Sequence, residues 1–141
     1  MQKYPSEVKD IRYGKCLVAT KDLQPGIIVQ KFEGPIIKYK DAPLNEITYV
    51  IDASTNYNED KWIIPKTDAR YANHSCNPNC TIDDDLNIIT TKPVKKGEEL
   101  TYSYNIIQEE ASKFVWDKRW TFKCECKSKN CQKVIDGYKN L

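Results

Sequence analysis

Histidine is almost absent from this sequence, and several features that would point to common protein classes are missing as well. His74 is the only histidine, which excludes two-histidine zinc fingers, HExxH proteases and three-histidine catalytic metal sites within this chain. No apolar run approaches the roughly 20 residues that a membrane span needs, and the first ten residues, MQKYPSEVKD, lack the apolar stretch of a signal peptide. We therefore expect an intracellular protein with no membrane partner.

An excess of charge of one sign is also missing. The chain has 22 Lys and Arg against 20 Asp and Glu, a formal net charge of +2, which argues against a dedicated nucleic-acid binder. We therefore expect no direct nucleic-acid binding. The length of 141 residues favours one compact domain, and an apolar fraction of 40% is enough for a small core.

Short strand patterns separated by glycine and proline turns dominate the sequence and predict a mainly β domain with little helix. The first ten residues read as irregular. Strands are predicted at residues 15–20, 27–32, 36–39, 47–51, 62–64, 81–82, 87–91 and 100–104. The turn at Pro25-Gly26 predicts the first two of these strands as partners. Residues 41–46 read as a loop, residues 56–60 as a polar connection, and residues 108–114 as the one short helix. Asp83-Asp84-Asp85 reads as the turn of a hairpin between the strands at residues 81–82 and 87–91.

Three cysteines form a CxCx4C cluster near the end of the sequence. Cys124, Cys126 and Cys131 supply three thiolates that could converge on one ion, whereas tetrahedral Zn²⁺ takes four ligands. Cys76 and Cys80 are both candidates for the fourth, and either would join the tail to the body of the domain. The alternatives are three reduced surface thiols, or a disulfide between two of them on oxidation.

The segment RYANHSCNPNC, residues 70–80, is the densest polar run in the chain. It reads as a plain loop, as a structural histidine with its neighbours, or as a Cys-His nucleophilic pair. Spacing alone does not decide among these three interpretations.

Taken together, these motifs resemble the signatures of the SET-domain protein-lysine methyltransferases that carry a post-SET zinc motif. RYANHSCNPNC resembles RFxNHSCxPNC, residues 97–104 (GEELTYSY) resemble GEELTYDY, and CxCx4C is similar to the post-SET motif. Residues 13–20 (YGKCLVAT) look like the family's xGxGLFAT opening, so the resemblance reaches from about residue 12 to residue 132. Two departures are Cys16 at the second glycine of the opening and Ser103 in place of an aspartate.

The resemblance implies a SET-domain fold of several short sheets with a knot-like substructure, little helix and a zinc-bound C-terminal tail. It divides the chain into an N-terminal extension (residues 1–11), the SET domain (residues 12–106) and a post-SET region (residues 107–141). It also implies methyl transfer from S-adenosylmethionine to the side-chain amine of a lysine in a protein substrate, most commonly a histone or histone-like tail, with S-adenosylhomocysteine as product.

Site residues follow from the same resemblance. Tyr104 and Tyr102 take the catalytic roles, and Tyr102 in particular favours monomethylation. The implied zinc ligands are Cys76, Cys124, Cys126 and Cys131, which leaves Cys80 spare. The implied cofactor contacts are Tyr13, Lys15, Tyr49, Asn73, His74 and Glu125. We expect nuclear, chromatin-associated localisation in a eukaryote, and a cytoplasmic protein or secreted effector in a bacterium.

Two other interpretations belong to different functional classes. One is a zinc-stabilised protein-binding module with weak catalysis, which Cys16 favours and which the presence of Tyr104, Asn73 and His74 disfavours. The other is a nucleic-acid-binding zinc knuckle built on the lysine-rich tail, which the near-neutral charge disfavours.

Overall fold

The structure is a computed structural model that describes residues 4–12, 14–53, 59–104, 122–124, 126, 129, 131 and 133–135. Within these ranges the chain forms twelve short strands and three single-turn 3₁₀ helices. The strands are β1 (Ser6–Ile11), β2 (Gly14–Ala19), β3 (Ile28–Lys31), β4 (Ile36–Ile37), β5 (Ile51–Asp52), β6 (Trp62–Ile63), β7 (Asn73–His74), β8 (Cys80–Ile82), β9 (Asn87–Thr90), β10 (Thr101–Tyr102), β11 (Phe122–Lys123) and β12 (Val134–Ile135). The 3₁₀ helices are Tyr39–Asp41, Leu44–Glu46 and Asp68–Tyr71.

The strands assemble into five small sheets. β1 pairs with β2, β11 with β12, and two three-stranded sheets have the orders β3-β9-β8 and β4-β6-β5, all antiparallel. The fifth sheet, β10 with β7, is parallel. The prediction of a mainly β domain with several short sheets is confirmed. In the part of the chain that the structure describes, no helix has the length and apolar character to cross a membrane.

The core lies around β2 and the segment that precedes β10. Leu17, Val29, Ile88, Val94 and Leu100 are almost completely buried in one apolar cluster. The Leu100 amide donates to the Leu17 carbonyl at 2.8 Å, so the core holds the GEEL segment against β2. This contact positions the start of β10, which begins at the next residue.

Gly34 marks the closest approach between two loops. A Cβ atom at this position would lie 1.9 Å from the carbonyl oxygen of Ile64. Backbone hydrogen bonds join the same two loops. The Ile64 amide donates to the Pro35 carbonyl, and the Lys66 amide donates to the Glu33 carbonyl. Only glycine fits here, which explains the Gly-Pro pair between β3 and β4.

Two predictions about the N-terminal strands are wrong. Residues 6–10 are not irregular: β1 pairs with β2 along its whole length, from Ser6 opposite Ala19 to Ile11 opposite Gly14. The sequence SEVKDI gave no apolar signal because one face of this strand is exposed to solvent. Residues 15–20 and 27–32 are not partners either, since β3 pairs with β9 instead.

The middle of the chain is less extended than predicted. Residues 41–46 contain 3₁₀ turns rather than an open loop, and of the strand predicted at residues 47–51 only Ile51 lies in a strand. The hairpin predicted around residues 81–91 is confirmed as β8 and β9. The Asp83 carboxylate accepts hydrogen bonds from the backbone amides of Asp85 and Asn87 and closes its turn. The predicted helix at residues 108–114 and most of the polar connection at residues 56–60 lie outside the described residues.

Candidate active site and metal centre

Parallel pairing of β7 with β10 brings the two polar motifs together. Asn73 lies opposite Thr101 and His74 opposite Tyr102, and the Ser75 amide continues the ladder by donating to the Tyr102 carbonyl. The Asn79 side chain holds the GEELTYSY motif through two hydrogen bonds. Its Nδ2 donates to the Glu99 carbonyl at 2.8 Å and its Oδ1 accepts from the Thr101 amide at 3.0 Å. NHSC and GEELTYSY therefore form a single structural unit.

The Asn73 side chain has a fixed orientation. Its Nδ2 donates to the Lys15 carbonyl at 3.0 Å and to the Glu99 carboxylate at 3.1 Å. Both partners are acceptors, so a flipped amide would set oxygen against oxygen. With both amide hydrogens engaged, Oδ1 is the atom that can accept a hydrogen bond from a ligand. The carboxylate of Glu99 adds negative charge beside it, which suits a cationic ligand group.

His74 lies between the strand pair and the cysteines. Its ring is buried and packs edge-on against Tyr104, with centroids 5.4 Å apart. Nδ1 accepts from the Tyr104 amide at 2.9 Å, and Nε2 lies 3.3 Å from Cys76 Sγ. Burial lowers the pKa of His74 to about 4. The imidazole is therefore neutral at physiological pH.

Tyr104 is a neutral hydroxyl rather than a base. Its hydroxyl donates to the Ala72 carbonyl at 2.5 Å. Burial, followed by smaller effects of Tyr102, Glu99 and Tyr49, raises the pKa of Tyr104 well above its usual value. Because the proton points to Ala72, the oxygen lone pairs are the part of this group that can face a reacting centre.

Tyr102 shares this environment with Tyr104. The two rings pack at a tilt, with their centroids 4.9 Å apart. Burial also raises the pKa of Tyr102, so both phenols stay protonated at physiological pH. The Phe32 ring packs against Tyr102 at 6.0 Å and supports it from the core.

Arg70 holds the Tyr49 ring at the rim of this region through a cation–π contact. The guanidinium of Arg70 lies 4.2 Å from the centre of the Tyr49 ring and pairs with the Glu46 carboxylate at 2.6 Å. The Tyr49 amide also donates to the Glu46 carbonyl. Tyr49 itself is 37% exposed, so its ring can contribute a wall to a ligand-binding surface.

Lys15 faces the site with its backbone and not with its side chain. The carbonyl accepts from Asn73, whereas the ammonium pairs with Asp10 on β1 at 2.8 Å and has its pKa raised, first by that hydrogen bond. Of the other predicted cofactor contacts, Tyr13 and Glu125 lie outside the described residues. Sequence reasoning missed Glu99 and the Ala72 carbonyl. The glutamate stands in the GEEL motif, which was the available signal, whereas a backbone carbonyl leaves none.

The structure brings together four of the six cysteines. The sulfurs of Cys76, Cys124, Cys126 and Cys131 all lie within 4.8 Å of one another. Cys80 is absent from this group because it is buried in β8, where burial raises its pKa to about 12. No disulfide joins any of the six cysteines, all of which lie among the described residues.

The four-sulfur group fits a tetrahedral zinc ion. Zinc–sulfur bonds of about 2.3 Å in a tetrahedron require sulfurs about 3.8 Å apart, and Cys76 and Cys124 are 3.8 Å apart. Burial raises the pKa of Cys124 to about 12. Without a cation such a thiol stays protonated, whereas a bound metal ion stabilises its thiolate. The donor set is therefore suited to zinc in its chemistry and its spacing.

A family model described as "SET domain" matches residues 14–105. The chain is 33% identical over 137 residues to Histone-lysine N-methyltransferase 2D of Homo sapiens, an alignment that covers 87% of this chain and 2% of that protein. It is 29% identical over 161 residues to Histone-lysine N-methyltransferase ASHH3 of Arabidopsis thaliana, which covers 95% of this chain and 39% of that protein. The chain thus spans a minor part of the length of these relatives.

Solved structures share the fold. A crystal structure of KRYPTONITE in complex with mCHG DNA and SAH aligns with a TM-score of 0.67 and 20% identity, over 94% of this chain and 29% of that one. A second KRYPTONITE structure, with mCHH DNA, an H3(1-15) peptide and SAH, aligns with a TM-score of 0.68, over 94% of this chain and 30% of that one. The family match covers β2 to β10, the part of the fold that carries both polar motifs, and the chain belongs to the SET domain family.

Proposed function

We propose that this chain transfers a methyl group from S-adenosylmethionine to the side-chain amine of a lysine in a protein substrate. The observation that carries the proposal is that the SET domain places the fixed Asn73 amide on β7, within the parallel β7–β10 pair, and the neutral Tyr104 hydroxyl two residues after the end of β10. The two curated relatives described above are named histone-lysine N-methyltransferases, which supports the same reaction class.

Asn73 and Glu99 provide polar groups that match the charged groups of the methyl donor. Its amino-acid end carries an ammonium group, which would donate to Asn73 Oδ1 next to the Glu99 carboxylate. Its sulfonium is also cationic, and negative charge nearby favours a cation over a neutral analogue. The SAH in the KRYPTONITE complexes supports this cofactor class. Tyr13, Lys15, Tyr49, His74 and Glu125 remain proposed contacts, Lys15 through its carbonyl.

The reaction needs alignment more than acid–base strength. A lysine amine, with an ordinary pKa of about 10.4, attacks only when neutral, and a cation facing it in a water-poor channel disfavours the ammonium form. The donor supplies a methyl group on a sulfonium, so a nitrogen–carbon bond forms while the carbon–sulfur electron pair returns to sulfur. The methylated ammonium then loses a proton to solvent. In-line placement of nitrogen, methyl carbon and sulfur is the main contribution of the protein.

Tyr104 would assist as a hydrogen-bond acceptor. Its proton is held by the Ala72 carbonyl, so its oxygen can face the positive charge that builds up on the methyl group in transit. A phenol with a raised pKa cannot serve as a base at neutral pH. The role proposed for Tyr104 is therefore electrostatic.

Tyr102 would limit the number of methyl groups. Its ring packs beside that of Tyr104, and its hydroxyl can hold a water molecule or the substrate amine by hydrogen bonding. Each added methyl group requires space and removes an N–H donor. We therefore propose monomethyl-lysine as the main product.

The four clustered cysteines would hold one structural Zn²⁺ that fastens the tail to the body of the domain. Cys76 belongs to the NHSC segment and the other three to the tail, so one ion would join the post-SET region (residues 107–141) to the SET domain (residues 12–106). In this division residues 1–11 remain an N-terminal extension, although β1 is paired with β2. The zinc ion has no part in the chemical step.

A histone tail is the substrate class that the comparisons favour. The similar curated proteins are named histone-lysine N-methyltransferases, and one KRYPTONITE complex contains an H3(1-15) peptide. We propose a nuclear, chromatin-associated protein on the same ground. The KRYPTONITE complexes also contain DNA, whereas the near-neutral charge of this chain supports a protein substrate without direct DNA contact.

The test of the catalytic proposal compares the wild-type chain with Tyr104→Phe. We expect the variant to lose at least about 100-fold in kcat, the scale seen when one transition-state hydrogen-bonding group is removed, while its Kd for S-adenosylhomocysteine changes less than about threefold. Initial rates on a histone panel and calorimetric titration measure the two quantities. Near-wild-type turnover would remove Tyr104 from the mechanism. Wild-type binding without any transfer would favour the protein-binding module.

A further inference from the structure

The only histidine of the chain lies between the backbone of Tyr104 and the four-cysteine group. His74 Nδ1 accepts from the Tyr104 amide at 2.9 Å, and His74 Nε2 lies 3.3 Å from Cys76 Sγ. A backbone amide can only donate, so Nδ1 must carry the lone pair. In the neutral imidazole the proton is then on Nε2, where it points to the sulfur of Cys76.

This tautomer excludes two other roles for the pair. With its proton on Nε2, the imidazole has no lone pair directed at Cys76 and cannot take a proton from the thiol, so the two residues do not form a nucleophilic dyad. It also cannot ligate a metal ion through Nε2. The four sulfurs already supply a complete tetrahedral set.

We propose that His74 is a positioning residue that orients Cys76 as a metal ligand and ties the metal centre to the main chain of Tyr104. The proposal rests on zinc binding as proposed above. An N–H donor to a metal-bound thiolate fixes the direction of the sulfur and reduces its charge. The other ring nitrogen, Nδ1, accepts from the backbone amide of Tyr104. The Tyr104 hydroxyl in turn donates to the Ala72 carbonyl. Metal loading then helps to place the phenol without any contact between the ion and the substrate.

The position of the ring is well determined by its surroundings. His74 lies opposite Tyr102 in the β7–β10 ladder, the next amide, of Ser75, donates to Tyr102, and the ring is 8% exposed. A buried side chain held at both nitrogens has little freedom to rotate. The two hydrogen bonds therefore transmit position between the metal centre and Tyr104 in both directions.

Two variants separate the two hydrogen bonds. In His74→Asn, the side-chain oxygen replaces the Nδ1 acceptor, but the donor to sulfur is lost. In His74→Gln, the side-chain amide places a donor near Nε2 and removes the acceptor. We expect His74→Asn to release zinc to a competing chelator about 10- to 100-fold more readily, the usual effect of losing an outer hydrogen bond to a ligand. We expect zinc release from His74→Gln to the same chelator to stay within about threefold of the wild-type value.

Imidazole nitrogen NMR on the zinc-loaded wild-type chain tests the proposal independently of any variant. Because the chain has one histidine, every imidazole signal belongs to His74. We expect a protonated Nε2 and an unprotonated Nδ1. After replacement of zinc by an NMR-active cadmium isotope, we expect scalar coupling between the metal and the proton on Nε2 across the hydrogen bond.

The outcomes distinguish this inference from the proposed function. A proton on Nδ1 in a metal-loaded chain overturns the inference and leaves methyl transfer intact, as does zinc retention by His74→Asn equal to that of the wild-type chain. Equal zinc loss from both variants reduces His74 to a packing residue. A wild-type chain that binds no zinc overturns the metal site and this inference together. Absence of methyl transfer from a zinc-loaded chain with the expected tautomer contradicts only the proposed function.

Discussion

Two phenols and one amide carry most of the chemistry that we propose for single residues of this site. Tyr104 has its proton directed at Ala72, whereas Asn73 has both amide hydrogens engaged and its oxygen left to accept. Neither side chain changes its charge in the physiological range. Their proposed function depends on direction, which hydrogen bonds to the Lys15 and Ala72 carbonyls and to the Glu99 carboxylate supply.

Asn73 should govern affinity for the amino-acid end of the donor alone. We expect Asn73→Ala to weaken S-adenosylhomocysteine binding by about 10-fold, the scale of a hydrogen bond to a charged group. Methylthioadenosine lacks the ammonium and carboxylate groups, and its affinity should change less than about twofold. Calorimetric titration with both ligands measures the difference. An equal loss for both ligands would show that the substitution disturbs the whole pocket instead.

Tyr102 should govern how many methyl groups are added. We expect Tyr102→Phe to raise the fraction of di- and trimethyl-lysine several-fold while leaving the first transfer within about threefold of the wild-type rate, because the lost hydroxyl frees space and releases a hydrogen-bonded water. Product distributions by mass spectrometry at matched conversion measure this effect. Abundant trimethyl-lysine from the wild-type chain at early times would contradict it, and an unchanged distribution in the variant would make Tyr102 a packing residue.

At the scale of the elements, the parallel β7–β10 pair positions the site, and the four cysteines connect that pair to the tail. β7 is followed directly by Ser75 and Cys76, so the strand that carries Asn73 and His74 also leads to one of the four sulfurs. The tail supplies the other three. Any ion bound there joins segments that are far apart in sequence.

Cys76 and Cys80 should differ in their effect on metal binding. We expect Cys76→Ser to lose about one equivalent of zinc, because only three thiolates remain for a tetrahedral ion. Cys80→Ser, the matched control four residues away, should keep its zinc, since Cys80 is buried in β8 outside the four-sulfur group. Inductively coupled plasma mass spectrometry on both purified variants measures zinc per chain. The reverse pattern, with zinc lost from Cys80→Ser and kept by Cys76→Ser, would make the ligand assignment wrong.

At the scale of the whole molecule, much of the architecture could be predicted from local sequence patterns. The β8–β9 hairpin was found because Asp83, Asp84 and Asp85 separate two β-branched runs. The pairing of β1 with β2 was missed because β1 is polar and largely exposed, so it carries no apolar alternation. The partnership of β3 with β9 was missed because it joins residues about 60 positions apart, and local patterns do not report such contacts.

In the candidate site, several side-chain contributions could be predicted from the sequence, whereas backbone contributions could not. Motif residues such as Asn73, His74 and Tyr104 could be identified from the sequence because their types and spacing are distinctive. The carbonyls of Lys15 and Ala72 could not, since every residue has a carbonyl and only the fold decides which ones face the site. The direction of the Lys15 side chain could not be predicted either. It points to Asp10 because the pairing of β1 with β2 sets Lys15 opposite Asp10.

The central claim is methyl transfer to lysine, and one measurement tests it most directly. The zinc-loaded chain is incubated with S-adenosylmethionine that carries a deuterated methyl group and with a panel of histones, and the products are mapped by peptide mass spectrometry. We expect the mass of one labelled methyl group on a defined lysine, formed at least about 100-fold more slowly by Tyr104→Phe under the same conditions. No labelled lysine from a chain that binds both zinc and S-adenosylhomocysteine would contradict the account.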